Sequence, residues 1–240
     1  MVCLKRKIYY IIFLSVIILF LFIVFNKNLS HRENIKFKKI PDRTFHKIPI
    51  KNIIHNKVII IGDSRMEFLK ERDKTIKIPL NFNFIALSGT NIHWFKNVAL
   101  KKLEEKLDNI DKDYKYHVVI NMGVNDLNDL EKAQKHADDY FNIIDELVSK
   151  YNNVEFYYLS VNPINDKIID RFFKPQYRTT AEIKIFNKEI IHLINKKDYK
   201  NFKYCDSYNN VNFIIPDGLH YNKITDQRII NYIVNKCIKY

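Results

Sequence analysis

Four short polar stretches carry residue types that acyl transfer needs: "GDS" at 62–64, "SGT" at 88–90, "GVND" at 123–126 and "PDGLH" at 216–220. A serine hydroxyl becomes a nucleophile only when a base takes its proton, and His220 is the natural base for Ser64. Asp217, three residues earlier, is placed to hold the imidazole ring and stabilise its charged form. The tetrahedral oxyanion needs aimed donors, and the N–H groups of Ser64 and Gly89 with the Asn125 side-chain amide supply three. Glycine suits position 89 because backbone must come close to a substrate with no Cβ in the way.

Each stretch alone has a simpler use. Ser64 is a good N-cap, "GVND" a good turn, and "DGLH" a turn with a capping aspartate. Asp217 and His220 make half a metal site, but no further ligand pair accompanies them, so neither a metal nor a cofactor is expected. What favours chemistry is the joint appearance of the four, each after a different expected strand.

Those strands follow from apolar runs bounded by polar corners: 57–62, 82–89, 116–123, 154–163 and, more weakly, 202–208. Between them lie amphipathic stretches, a helix starting at 65, then 94–110, 130–151, 181–197 and 224–240. In 94–110 the apolar face is drawn through Trp94, Val98, Leu103 and Leu107. Strands alternating with helices call for parallel pairing, so the expected fold is α/β, a three-layer α/β/α sandwich on a five-stranded parallel sheet. In such sheets ligands bind beyond the carboxyl ends of the strands, where the four polar stretches sit. Residues 164–180 are too long and mixed for a simple turn and are expected to be a lid or substrate loop.

"GDS", "SGT", "GVND" and "DGLH", in this order, resemble the four signature blocks of the SGNH (GDSL-type) hydrolases over about two thirds of the chain. The resemblance implies a flavodoxin-like α/β/α fold, Ser64 as nucleophile, Gly89 and Asn125 in the oxyanion hole, and Asp217 with His220 completing a triad. One departure is Arg65, where the family usually has leucine. It puts a cation beside the nucleophile, a candidate contact for a sugar or an anionic group, with a surface salt bridge as the alternative. Tyr177 and Arg178 are further candidate substrate contacts. The G-x-S-x-G elbow of the α/β-hydrolases is absent.

Ile8–Phe25 carries no charge and spans about 27 Å as a helix, near the ~30 Å of a bilayer core. A cleaved signal peptide would have a shorter apolar core and a small-x-small cleavage site, and neither is present. Lys5, Arg6 and Lys7 place residues 1–7 in the cytoplasm. The expectation is a single-pass signal anchor at 8–25, a basic linker at 26–56 and an extracytoplasmic hydrolase domain at 57–240. Net charge is +13, but the lysines are scattered and no nucleic-acid motif accompanies them, so nucleic acid is not an expected partner. Cys205 and Cys237 are able to pair in an oxidising compartment, although their spacing does not require it.

A tethered, outward-facing member of this family resembles enzymes acting on wall or surface glycans. The expected activity is therefore removal of small acyl groups, chiefly acetyl, from a carbohydrate. An O-acyltransferase with the same triad, served by a membrane acyl-donor protein, is the alternative, and a short-chain lipase the third. A reading without catalysis is a glycan-binding tether.

Overall fold

The computed structural model describes residues 55–72, 75–79, 81–172 and 178–238. The anchor expected at 8–25, nearly all of the 26–56 linker, and Tyr177 lie outside them. Among the described residues no helix is long and apolar enough to cross a membrane.

Five strands form one parallel sheet: β1 (Asn56–Gly62), β2 (Phe82–Ala86), β3 (Lys115–Asn121), β4 (Glu155–Leu159) and β5 (Phe202–Cys205), in the order β2-β1-β3-β4-β5. Alternate side chains of β1 feed two cores. Ile59 and Ile61 join Val118, Ile120, Phe156 and Tyr158 on one face, while Val58 and Ile60 join Val119, Tyr157 and Leu159 on the other. Burial on both faces is why these strands read as unbroken apolar runs.

The helices are α1 (Ser64–Glu71), α2 (Leu100–Leu107), α3 (Ala133–Lys150), α4 (Asp166–Phe172), α5 (Thr180–Lys197), α6 (Ser207–Asn210) and α7 (Lys223–Tyr232). The first core packs under α2, α3 and α5, the second under α1 and α7, which makes the α/β/α sandwich. Burying one Ile or Leu in such a core is worth about 2–3 kcal/mol, so the stripes of α2 and α3 fix which way those helices face.

Two expectations need correction. The helix drawn over 94–110 is reached through a short helix, Ile92–Trp94, and a π-helical turn, Phe95–Ala99. That turn carries an extra residue per turn and rotates the face. The buried stripe is Phe95, Ala99, Leu103 and Leu107; Val98 is 36% exposed and Trp94 only half-buried. The second correction concerns 164–180, which is not one long loop. Asp166–Phe172 is helix α4, and its Ile169 is buried.

Candidate active site

All the candidate loops leave the carboxyl ends of strands or the segment before α7. β1 ends at Gly62, and Asp63 caps α1, its carboxylate accepting from Arg65 N–H at 2.9 Å. Ser64 is therefore the first helical residue, and its hydroxyl is not used as the cap. That hydroxyl lies 2.9 Å from His220 Nε2. His220 Nδ1 lies 2.8 Å from Asp217 Oδ2, while Asp217 Oδ1 accepts the backbone N–H groups of His220 at 2.7 Å and Leu219 at 2.9 Å. Burial alone would raise the Asp217 pKa, but these hydrogen bonds outweigh it and hold the group below its ordinary value. An ionised Asp217 accepts only, so Nδ1 carries the ring proton and Nε2 is left to accept from Ser64 O–H.

The loop bearing Asp217 and His220 is fixed from several sides. Gly218 has φ +89°, its carbonyl accepts Asn165 N–H at 2.9 Å, and a Cβ there would sit 2.4 Å from Ile169 N. Helix α4 and the residue before it thus brace the loop, while 173–177 of the expected lid segment lie outside the described residues. The Phe68 ring lies 4.6 Å from the imidazole, and Arg72 Nη1 donates to Tyr221 O at 2.7 Å.

Gly89 has φ +71° and is exposed, with no atom within 4 Å of the place a Cβ would occupy. Its loop is held at both ends. Leu87 N–H donates to Gly62 O at 3.3 Å, and Thr90 O accepts Asn125 Nδ2 at 2.8 Å. That leaves the second hydrogen of the Asn125 amide for another acceptor. Asp126 adds a hold by accepting Ile92 N–H at 3.3 Å and Tyr140 O–H at 2.7 Å. Burial raises its pKa.

Arg65 does not make the surface salt bridge considered from the sequence. It is 2% exposed; its Nη1 donates to Asn162 O at 2.9 Å, and its guanidinium lies 5.1 Å from the Tyr221 ring centroid. The Asp63 carboxyl is buried as well, which raises its pKa against the opposing pull of Arg65. So Arg65 ties the nucleophile turn to the segment after β4 and to the residue following His220. Being inside, it is not available as a direct sugar contact in this conformation. Arg178 is half-buried; burial lowers its pKa, as does Arg65, while Asp63, Asp126 and Glu182 act the other way.

Sequence reasoning missed Asp63, Glu67 and Asp126. Glu67 stands three residues after Ser64, a spacing that looks like a capping box. Its carboxylate instead reaches across to Ser88, beside Gly89. Among the described residues no group of three or more His, Cys, Asp or Glu is placed to hold a metal ion. The arrangement is equipped to activate the Ser64 hydroxyl through the His220 imidazole.

Residues 60–233 match the family described as GDSL-like lipase/acylhydrolase. No protein of curated function matches the sequence. Several solved structures share the fold. A Streptococcus pneumoniae protein, provisionally described as a platelet activating factor, is similar over 78% of this chain and 85% of its own, with 16% identity and a TM-score of 0.59. A carbohydrate acetylesterase from Sinorhizobium meliloti covers 76% and 98%, with 15% identity and a TM-score of 0.50. A protein provisionally described as an SGNH hydrolase, from Slackia heliotrinireducens, covers 74% and 96%, with 10% identity and a TM-score of 0.50. At these identities the likeness is one of fold.

Proposed function

The chain belongs to the GDSL-like lipase/acylhydrolase family of serine ester hydrolases, and from that premise we propose that it is a membrane-anchored, extracytoplasmic esterase removing acetyl or similarly small acyl groups from a surface carbohydrate. The observation that carries the reading is the hydrogen-bonded chain Ser64–His220–Asp217.

In the proposed reaction His220 Nε2 takes the Ser64 proton as Oγ bonds to the ester carbonyl carbon. The carbonyl oxygen becomes an oxyanion and is met by Ser64 N–H, Gly89 N–H and the Asn125 amide. Collapse breaks the carbon–oxygen bond to the sugar, whose oxygen leaves with the proton from His220. Water then repeats the sequence on the acyl-enzyme, releasing the free acid and restoring Ser64.

A carbohydrate is in keeping with the acetylesterase that shares the fold. The apolar 8–25 segment supports anchoring, and the Cys205–Cys237 disulfide, Cα–Cα 5.7 Å, supports an oxidising compartment.

The test is Ser64→Ala in the full-length protein. The expected result is loss of fluorophosphonate labelling at Ser64 and loss of p-nitrophenyl acetate hydrolysis by about 10³-fold or more. Unchanged hydrolysis in that variant would remove the reading. Given an acyl donor and a glycan acceptor, free acid should accumulate; faster accumulation of acylated glycan would make the enzyme a transferase.

A further inference from the structure

Among the described residues the sheet ends at β2, whose outer edge no further strand covers. Along that edge runs a groove of about 490 Å³, within the range of ligand clefts. Its apolar wall is Phe84, Leu87 and Trp94, with Leu87 46% exposed. Its polar rim is Lys70 from α1 and Lys102 and Lys106 from α2, all exposed, against one acid, Glu105. Lys102 and Lys106 are four residues apart, so they project from the same helix face, one turn from each other.

The position of this groove sets it apart. Leu87 lies two residues before Gly89, and its N–H is bonded to the carbonyl of Gly62, two residues before Ser64. A ligand lying against β2 therefore ends beside the Ser64–Gly89 rim. A second groove of about 500 Å³ also has lysines, Lys112 and Lys115, but it includes His55 and opens at the starts of β1 and β3, away from that rim.

The geometry points to this groove as the docking site for an anionic polysaccharide, one unit of which is then presented to Ser64. The indole offers a flat apolar face to the C–H side of a sugar ring, and three ammonium groups answer carboxylates or phosphates spaced along the chain. The inference takes the esterase reading one step further, by naming the substrate as acidic, and relies on that reading only for what happens at Ser64.

Trp94 is the sole tryptophan of the chain, so emission excited selectively at the indole, beyond tyrosine absorption, reports on this residue of the groove. Full-length Ser64→Ala protein is titrated with an oligogalacturonate and, separately, with a neutral chito-oligosaccharide. The expected result is a saturable emission change with the acidic oligomer only, weakened by added salt. Lys102→Glu with Lys106→Glu should weaken that binding about tenfold or more. In an otherwise wild-type chain the same pair should leave p-nitrophenyl acetate hydrolysis unchanged. Equal response to both oligomers, indifference to the charge reversals, or a response only to phosphatidylglycerol vesicles overturns the inference. Failure of wild-type protein to hydrolyse the small ester would instead strike the esterase reading and leave the titration intact.

Discussion

The Glu67 carboxylate accepts both the backbone N–H of Ser88, at 2.7 Å, and the Ser88 hydroxyl. One helical turn after Ser64, α1 thus grips the loop whose next residue is Gly89. The grip matters because an oxyanion donor works only when its N–H is already aimed. Both bonds end on one oxygen, Oε2, so Glu67→Gln keeps the shape and an acceptor but removes the negative charge that strengthens them. It should lower kcat on a soluble ester about tenfold with KM little changed. Ser88→Ala, which keeps the N–H, should cost less, and the two losses should not add when combined. A fall in KM-dependent binding alone would contradict this.

Gly218 allows no side chain. At φ +89° an L residue is strained, and a Cβ would meet the Ile169 backbone at 2.4 Å. Gly218→Ala should destabilise the fold by about 1–3 kcal/mol. It should also slow labelling of Ser64, because the loop that must yield carries Asp217 and His220. Thermal melts and probe-labelling rates measure the two effects separately.

His117 is buried, and burial lowers its pKa to about 4, with Lys115 adding to the effect. Its Nε2 lies 2.7 Å from Asn56 Oδ1. Unfolded, the same ring takes a proton near pH 6.5. Its contribution to stability is therefore complete above about pH 6.5 and is lost as pH falls toward 4, by a few kcal/mol. His117→Gln should flatten the melting temperature across that window relative to wild type. An identical pH profile in the two proteins would show that His117 does not titrate in this way.

The Cys205–Cys237 disulfide joins the end of β5 to the last described helical turn across 32 residues. Closing a loop of that length is worth about 3–4 kcal/mol in the chain-entropy description. Cys237→Ser should lose roughly that much in denaturant melts, and wild-type protein under reductant should match it. Ester hydrolysis by the folded variant should persist, since neither sulfur lies in the catalytic chain.

The α/β order and the rim of polar loops were legible because each rests on local chemistry. An apolar run stopping at "GDS" or "GVND" reveals both a buried strand and the end of it. Spacing alone carries no distance, so the sequence does not decide whether Cys205 pairs with Cys237. Trp94 packs against the core as its spacing suggests, but Val98 falls off the buried face because the π-helical turn at Phe95–Ala99 shifts the period, and no residue there announces it.

Residue type and order by themselves determined that this chain builds a parallel sheet with Gly89, Asn125, Asp217 and His220 on loops and Ser64 at the start of a helix, because burial patterns and turn chemistry act over a few neighbouring positions. Contacts between distant segments were decided only by the folded chain. Arg65 turned inward to Asn162 and Tyr221, Glu67 left its own helix end for Ser88, and α4 closed under Gly218. The physical reason is that a side chain's partner depends on which backbone passes within hydrogen-bonding reach, about 3 Å, and sequence separation says little about that.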